Sequence, residues 1–267
     1  MRCFFSFIRQ SLKRISMYRF EFGTQAVYQL IALYGVKLLW VTLSKQSPEI
    51  VGMPVEQMVT YAMLAMLLDV IFYPSGDNAP HSYMTKQIKD GTIDVDLLKP
   101  LNYQKHMFYR TTGFVIVRLL FLVIPAYLFA LLFMGMRVPI TLMNGILSVL
   151  SLILGYLILF SLNFLLGIIG MITLDIKHIS WAYNAVISFF SGKLVPLWLF
   201  PVWLMSFANI LPFKYIYAVP VSIYIGKLSY SEIIQTLILQ CVWAAGLIWI
   251  GNLSWHKVRT RLIIQGG

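Results

Sequence analysis

The sequence predicts an all-α integral membrane protein built on six transmembrane helices, and three observations carry that expectation. Hydrophobic residues make up 59% of the 267 and charged residues only 12%, about half the charged share of an ordinary soluble domain. Several stretches hold the ~20 mostly apolar residues needed to cross a hydrocarbon core. The basic residues, which leave the chain at net +11, fall in the gaps between those stretches and not in one nucleic-acid-binding patch. One soluble core could not enclose this much apolar surface, whereas lipid can act as its solvent.

Residues 1–21 place Phe4, Phe5, Ile8, Leu12 and Ile15 at helical spacing, with Arg9, Lys13 and Arg14 between them. That pattern belongs to an amphipathic helix lying in a membrane interface. The spans expected from hydropathy are 22–43, 56–74, 112–133, 143–171, 179–205 and 232–254. A polar loop, 75–111, separates the second from the third. The fifth span is interrupted by Pro196 and Pro201, with Pro212 and Pro220 following. Proline removes a backbone donor and clashes with the preceding turn. Residues 192–231 are therefore expected to form broken or re-entrant helices shielded by protein, because lipid cannot satisfy free backbone groups.

Six spans with both ends on one side put fourteen of the twenty-one Lys and Arg on that side: in the N-terminal segment, loop 75–111, Lys177 and the tail. Five lie on the other side and two, Lys37 and Arg118, within spans. The positive-inside rule then places both termini in the cytoplasm. The four histidines fall on that same side and are expected to face solvent. Cys3 and Cys241 lie too far apart in sequence to suggest a disulfide framework or a zinc site.

Charge inside a span is expensive and needs a partner or an exit to the headgroups. Asp69 and Arg118 fall at similar expected depths, ~8–10 Å from the cytoplasmic ends of spans two and three; either they form a charge pair, or Arg118 snorkels to the headgroups and Asp69 sits in the interface. Asn163, in mid-span four, either bonds a neighbouring helix or lines a path. Gly155, Gly167 and Gly170 mark close helix approach.

No phosphate loop of the form GxxxxGK[ST] occurs, nor HExxH, nor a GxSxG elbow. The chain is expected neither to hydrolyse ATP nor to carry a cofactor or metal of its own. In loop 75–111, Asp90-Gly91 is a turn signal, Asp94 can cap a short helix and Pro100 can end it. Such a helix, carrying Val95, Leu97 and Leu98, suits a groove on a partner.

Two runs carry a family resemblance. IKDGTIDVDLLKPLN, from Ile88 to Asn102, resembles the cytoplasmic loop of type-2 bacterial ABC exporter permeases. The run from Phe189 to Leu228 resembles the same family's segment between spans five and six, through Phe190-Ser191-Gly192, Pro196-Leu197, Phe200-Pro201, Leu211-Pro212-Phe213, Pro220 and Gly226. The resemblance implies a permease of the cytoplasmic membrane that pairs with a second, identical or homologous permease. Two cytoplasmic ATP-binding subunits, holding the ATP and Mg, would drive export of an apolar or amphipathic cargo by alternating access. It assigns a coupling helix seated on the ATPase to Asp90, Gly91, Asp94, Asp96, Leu97, Leu98, Lys99 and Pro100. An outer gate falls to Gly192, Pro196, Phe200, Pro201, Pro212 and Pro220. The alternatives are an ion-coupled secondary transporter, which calls for deeper ionisable residues and broken helices in both halves, and a membrane enzyme or assembly factor, which calls for a polar catalytic cluster at one face.

Overall fold

A computed structural model describes residues 2–17, 19–46, 53–72, 79–93, 96, 102–173 and 176–265. Within them the chain is helical and no strand occurs. Five helices are long and apolar enough to cross a membrane. They are α2 (Arg19–Gln46), α3 (Val55–Phe72), α5 (Tyr103–Phe133), α6 (Leu142–Thr173) and α10 (Tyr230–Gln265). Helix α1 (Arg2–Met17) lies against the start of α5, where Phe4 meets Tyr109 and Phe7 meets His106, with ring centroids 5.6 and 5.3 Å apart. Gly113 allows that approach: a side chain there would meet the backbone of Phe7 at 3.2 Å.

The bundle turns apolar surface outward as well as inward. Val27, Ile31 and Leu38 of α2, Ile146, Val149 and Ile153 of α6, and Ile234, Ile238 and Val242 of α10 are all exposed. Helix α3 is the most enclosed of the five and α2 the least. Met58, Met63, Leu67 and Tyr61 of α3 are essentially without exposure.

The segment expected as a single fifth span, 179–205, is not one helix. Helix α7 (Lys177–Phe190) has 14 residues, ~21 Å of rise against the ~30 Å of a hydrocarbon core. The chain then turns at Ser191-Gly192, forms a short 3₁₀ turn at Leu197–Leu199, and continues as α8 (Val202–Ile210) after Pro201. A second 3₁₀ turn, Pro212–Tyr215, leads into α9 (Ala218–Tyr224). The first 3₁₀ turn, α8 and the second 3₁₀ turn each begin at or just after one of the marking prolines, whereas the turn after α7 falls at Gly192.

Such a broken path leaves carbonyls without helical partners, and side chains of the long helices satisfy them. Tyr61 Oη of α3 donates to the carbonyl of Gly192 at 2.7 Å. Asn144 Nδ2 of α6 donates to Ile223 O at 2.8 Å. Gln240 Nε2 of α10, with no exposure, donates to Tyr215 O at 2.9 Å, while its Oε1 accepts from Ser151 Oγ. Gly155 completes the seat, since a Cβ there would stand 2.6 Å from the Tyr215 carbonyl.

Span three also departs from a regular helix. It is α-helical over Tyr103–Arg118, makes a π turn over Leu119–Val123 and resumes as an α-helix over Ile124–Phe133. Pro125 sits in the first turn of that last stretch. Its missing N–H interrupts the α-type ladder at the point where the wider turn occurs.

Candidate functional site

One end of the bundle carries the most elaborate polar construction. Helix α4 (Pro80–Lys89) begins with proline in its first turn, where no N–H is needed. It ends in a Schellman arrangement: Gly91, at φ +65°, donates from N–H to Ile88 O, and Thr92 N–H donates to Gln87 O. Asp90 and Gly91 are exposed at that turn.

Beyond the turn the chain is anchored by Asp96, which is only 5% exposed. Its Oδ2 accepts from Tyr83 Oη at 3.0 Å and from Gln87 Nε2. Tyr103 Oη donates to Gln87 Oε1 at 2.7 Å, and His106 Nδ1 stands 3.7 Å from Asp96 Oδ2. Arg110 lies 3.5 Å over the Tyr83 ring. This corrects the expectation for Asp96. The carboxylate faces inward and ties α4 to the start of α5, so it is not a contact open to a partner. Asp94, Leu97, Leu98, Lys99 and Pro100 lie outside the described residues.

Helix α4 is seated on the last third of α6. A Cβ at Gly167 would meet Met84 Sδ at 2.5 Å and His81 Cα at 3.1 Å; one at Gly170 would meet Thr85 Oγ1 at 2.3 Å. Only glycine allows this contact, as its spacing in the sequence suggested. Asn163 sits one turn before it, 8% exposed. Its Nδ2 donates to Leu159 O at 3.0 Å, leaving Oδ1 to accept from His81 Nδ1 at 3.0 Å. Of the two roles open to Asn163, the geometry shows interhelical bonding. His81 and His106, expected to face solvent, are 8% and 2% exposed; His178 and His256 are exposed.

Burial holds the pKa of His81 below its ordinary 6.5, against a smaller opposing effect from the Asn163 bond. The unfolded chain therefore takes up the proton first as pH falls. The seat of α4 keeps its full stability above about pH 6.5 and weakens below it. Amide protection across residues 80–89, taken relative to the intrinsic exchange rate at each pH, is expected to fall between pH 7 and 5.5, with His81→Gln flattening that dependence.

The direct charge pair weighed for Asp69 and Arg118 is also corrected. Asp69 instead pairs with Lys193 at 2.6 Å and accepts from Tyr217 Oη at 3.3 Å. Arg118, 4% exposed, donates from Nη1 to Val70 O at 2.9 Å and stacks over Phe114 at 4.7 Å. Val70 carries one of the last four carbonyls of α3, which have no intrahelical donor. A guanidinium there satisfies it and complements the negative end of the helix dipole. The arginine thus still joins spans two and three, but through backbone.

At the opposite end the proposed gate residues stand close together. Gly192, at φ +78°, is hemmed by Ala218 Cβ and Tyr61 Oη, each 2.8 Å from where its own Cβ would be. Ala218 N–H donates to Ser191 O at 2.9 Å, joining the start of α9 to the turn after α7. Phe200 stacks on Phe189 with centroids 4.9 Å apart. Pro196 and Pro212 are buried, and Pro201 is exposed. Pro220 lines an apolar cavity of about 530 Å³, with Leu64, Leu68, Val123, Leu152 and Tyr224 among its other walls.

Sequence reading missed α4 itself, although Pro80 and Gly91 mark its ends, and missed Tyr61, Asn144 and Gln240, whose partners are backbone atoms. No curated protein and no solved structure matches this chain. The family described as ABC-2 family transporter protein does match, over residues 30–266. That match takes in four of the five long helices whole, α2 from residue 30 on, the α4 region and the broken segment, and the chain belongs to the ABC-2 family of transporter proteins.

Proposed function

We propose that this chain is the membrane-spanning permease subunit of an ATP-driven exporter. Two cytoplasmic ATP-binding subunits supply the energy, with ATP and Mg bound on them, and a second permease, identical or homologous, completes the path. Both termini face the cytoplasm, with α7 and the segment after it serving as the sixth crossing and outer gate. The α4 end then faces the ATPases. Helix α1 lies along the interface, and the exposed Asp90-Gly91 turn together with residues 94–100 forms the coupling contact. The cargo is apolar or amphipathic and moves by alternating access.

The family match over residues 30–266 carries this reading. The build of the α4 end supports it: a short helix fixed to spans three and four by buried polar bonds transmits force to both. Co-expression with an ATP-binding subunit tests it. Nucleotide hydrolysis is expected only when the two co-purify, and Leu97→Ala with Leu98→Ala is expected to reduce capture of that subunit. Cargo movement by the purified chain alone, driven by an ion gradient, would overturn the proposal in favour of a secondary transporter.

A further inference from the structure

A second cavity, of about 640 Å³, lies between the first turns of α5, the middle of α6 and the second half of α10. That volume falls within the ~300–1,000 Å³ of small-molecule sites. Its lining is graded. Asn102, Gln104, Lys105 and Asn252 stand at one end; Phe108, Tyr109, Leu157, Phe160, Ala245, Ile248 and Trp249 make up the rest of the lining. From Asn252 to Ala245 is two turns of α10, or ~10 Å, over which the wall passes from polar to wholly apolar.

The amides of the polar end are engaged with one another. Asn102 Nδ2 donates to Asn252 Oδ1 at 3.2 Å, Asn102 Oδ1 accepts from Gln104 N–H at 2.9 Å, and Gln104 Nε2 donates to Ile248 O at 3.2 Å. Among the described residues Lys105 is the only charged side chain in the lining, and it is exposed. Ile248 and Trp249 are 38% and 63% exposed, so the apolar part opens sideways on the face of a candidate span.

An ammonium at the rim, an aromatic interior below it and a lateral opening match an amphiphile with an anionic head and a hydrocarbon tail. A free anion would have no use for the apolar interior. A zwitterionic headgroup would bring its own cation towards Lys105. We propose that this cavity binds one anionic phospholipid, its phosphate at Lys105 and an acyl chain against Phe108, Phe160 and Trp249. The lipid bridges spans three, four and six at the α4 end, and the proposal does not depend on what cargo the protein moves.

The test uses the purified full chain in neutral detergent, titrated separately with phosphatidylglycerol, phosphatidylcholine and inorganic phosphate. Phosphatidylglycerol is expected to raise the melting temperature, and the other two are not. Lys105→Gln is expected to weaken the phosphatidylglycerol response about fivefold, while Lys257→Gln, outside the cavity, leaves it unchanged. Brominated phosphatidylglycerol is expected to quench tryptophan fluorescence beyond brominated phosphatidylcholine, and Trp249→Phe removes that excess. Equal stabilisation by the two lipids overturns the proposal, as does a response to phosphate alone. So does a Lys105→Gln titration that follows the wild type, an excess quench that survives Trp249→Phe, or a dimer of this chain that excludes the lipid.

Discussion

Asp96→Ala is expected to destabilise the protein by roughly 3 kcal/mol and to release α4 from the bundle. The substitution removes an acceptor from Gln87 Nε2, which keeps its bond to Tyr83 Oη at 3.1 Å, and from the half-buried Tyr83 Oη, and an unsatisfied buried donor costs about 1–3 kcal/mol. Asp96→Asn keeps the volume and one acceptor, so an intermediate loss is expected. Thermal unfolding in detergent reads the stability, and amide exchange over residues 80–89 reads the release. A wild-type melting curve for Asp96→Ala would show that this carboxylate holds nothing together. Under the proposed function the same variant bound to an ATPase keeps hydrolysis and loses transport, because the lever is detached and the motor is not.

The second large effect is expected at Arg118. Arg118→Leu removes a charged donor from the Val70 carbonyl, a loss of about 1.5–3 kcal/mol for a hydrogen bond of this type. Asp69→Asn breaks an ion pair whose side chains are 33% and 19% exposed, and partly solvated pairs are typically worth 1 kcal/mol or less. Asp69 and Arg118 are not bonded to each other, so the two effects are expected to add within about 0.5 kcal/mol in the double variant. A coupling energy above about 1 kcal/mol would restore the direct Asp69–Arg118 pair and remove the cap.

These two sites show what the sequence could and could not convey. Their place within long apolar runs was readable, because hydropathy alone marks those runs. Their partners were not. Lys193 reaches Asp69 only because α7 stops after Phe190 and the chain turns back on α3. Proline spacing indicated that such a break occurs but not where the next residues land. Arg118 bonds a main-chain oxygen, and every residue has one, so no residue type could have signalled it.

The long apolar runs were legible because hydrophobic length alone identifies a candidate span. Which face of each run meets lipid was not, since both faces are apolar and periodicity carries little contrast between them. The glycines were informative for the opposite reason. Gly155, Gly167 and Gly170 are each a missing side chain, and in each case another segment occupies the space. For Asn163 the sequence allowed two uses, and the choice depended on α4. That helix was overlooked because its own composition, Pro-His-Ser-Tyr-Met-Thr-Lys-Gln-Ile-Lys, is too polar and too short to stand out beside the spans.

The π turn at Leu119–Val123 sets how span three tolerates changes in length. An α-helix rotates about 100° per residue, so an ordinary single deletion would swing everything past it to a different face. At the π turn the chain already holds a surplus residue. Deleting one there closes the surplus, with Arg118 still under Val70 and Tyr127 still opposite Tyr224. Span three therefore has a place where the loss of one residue does not dismantle the helix on either side.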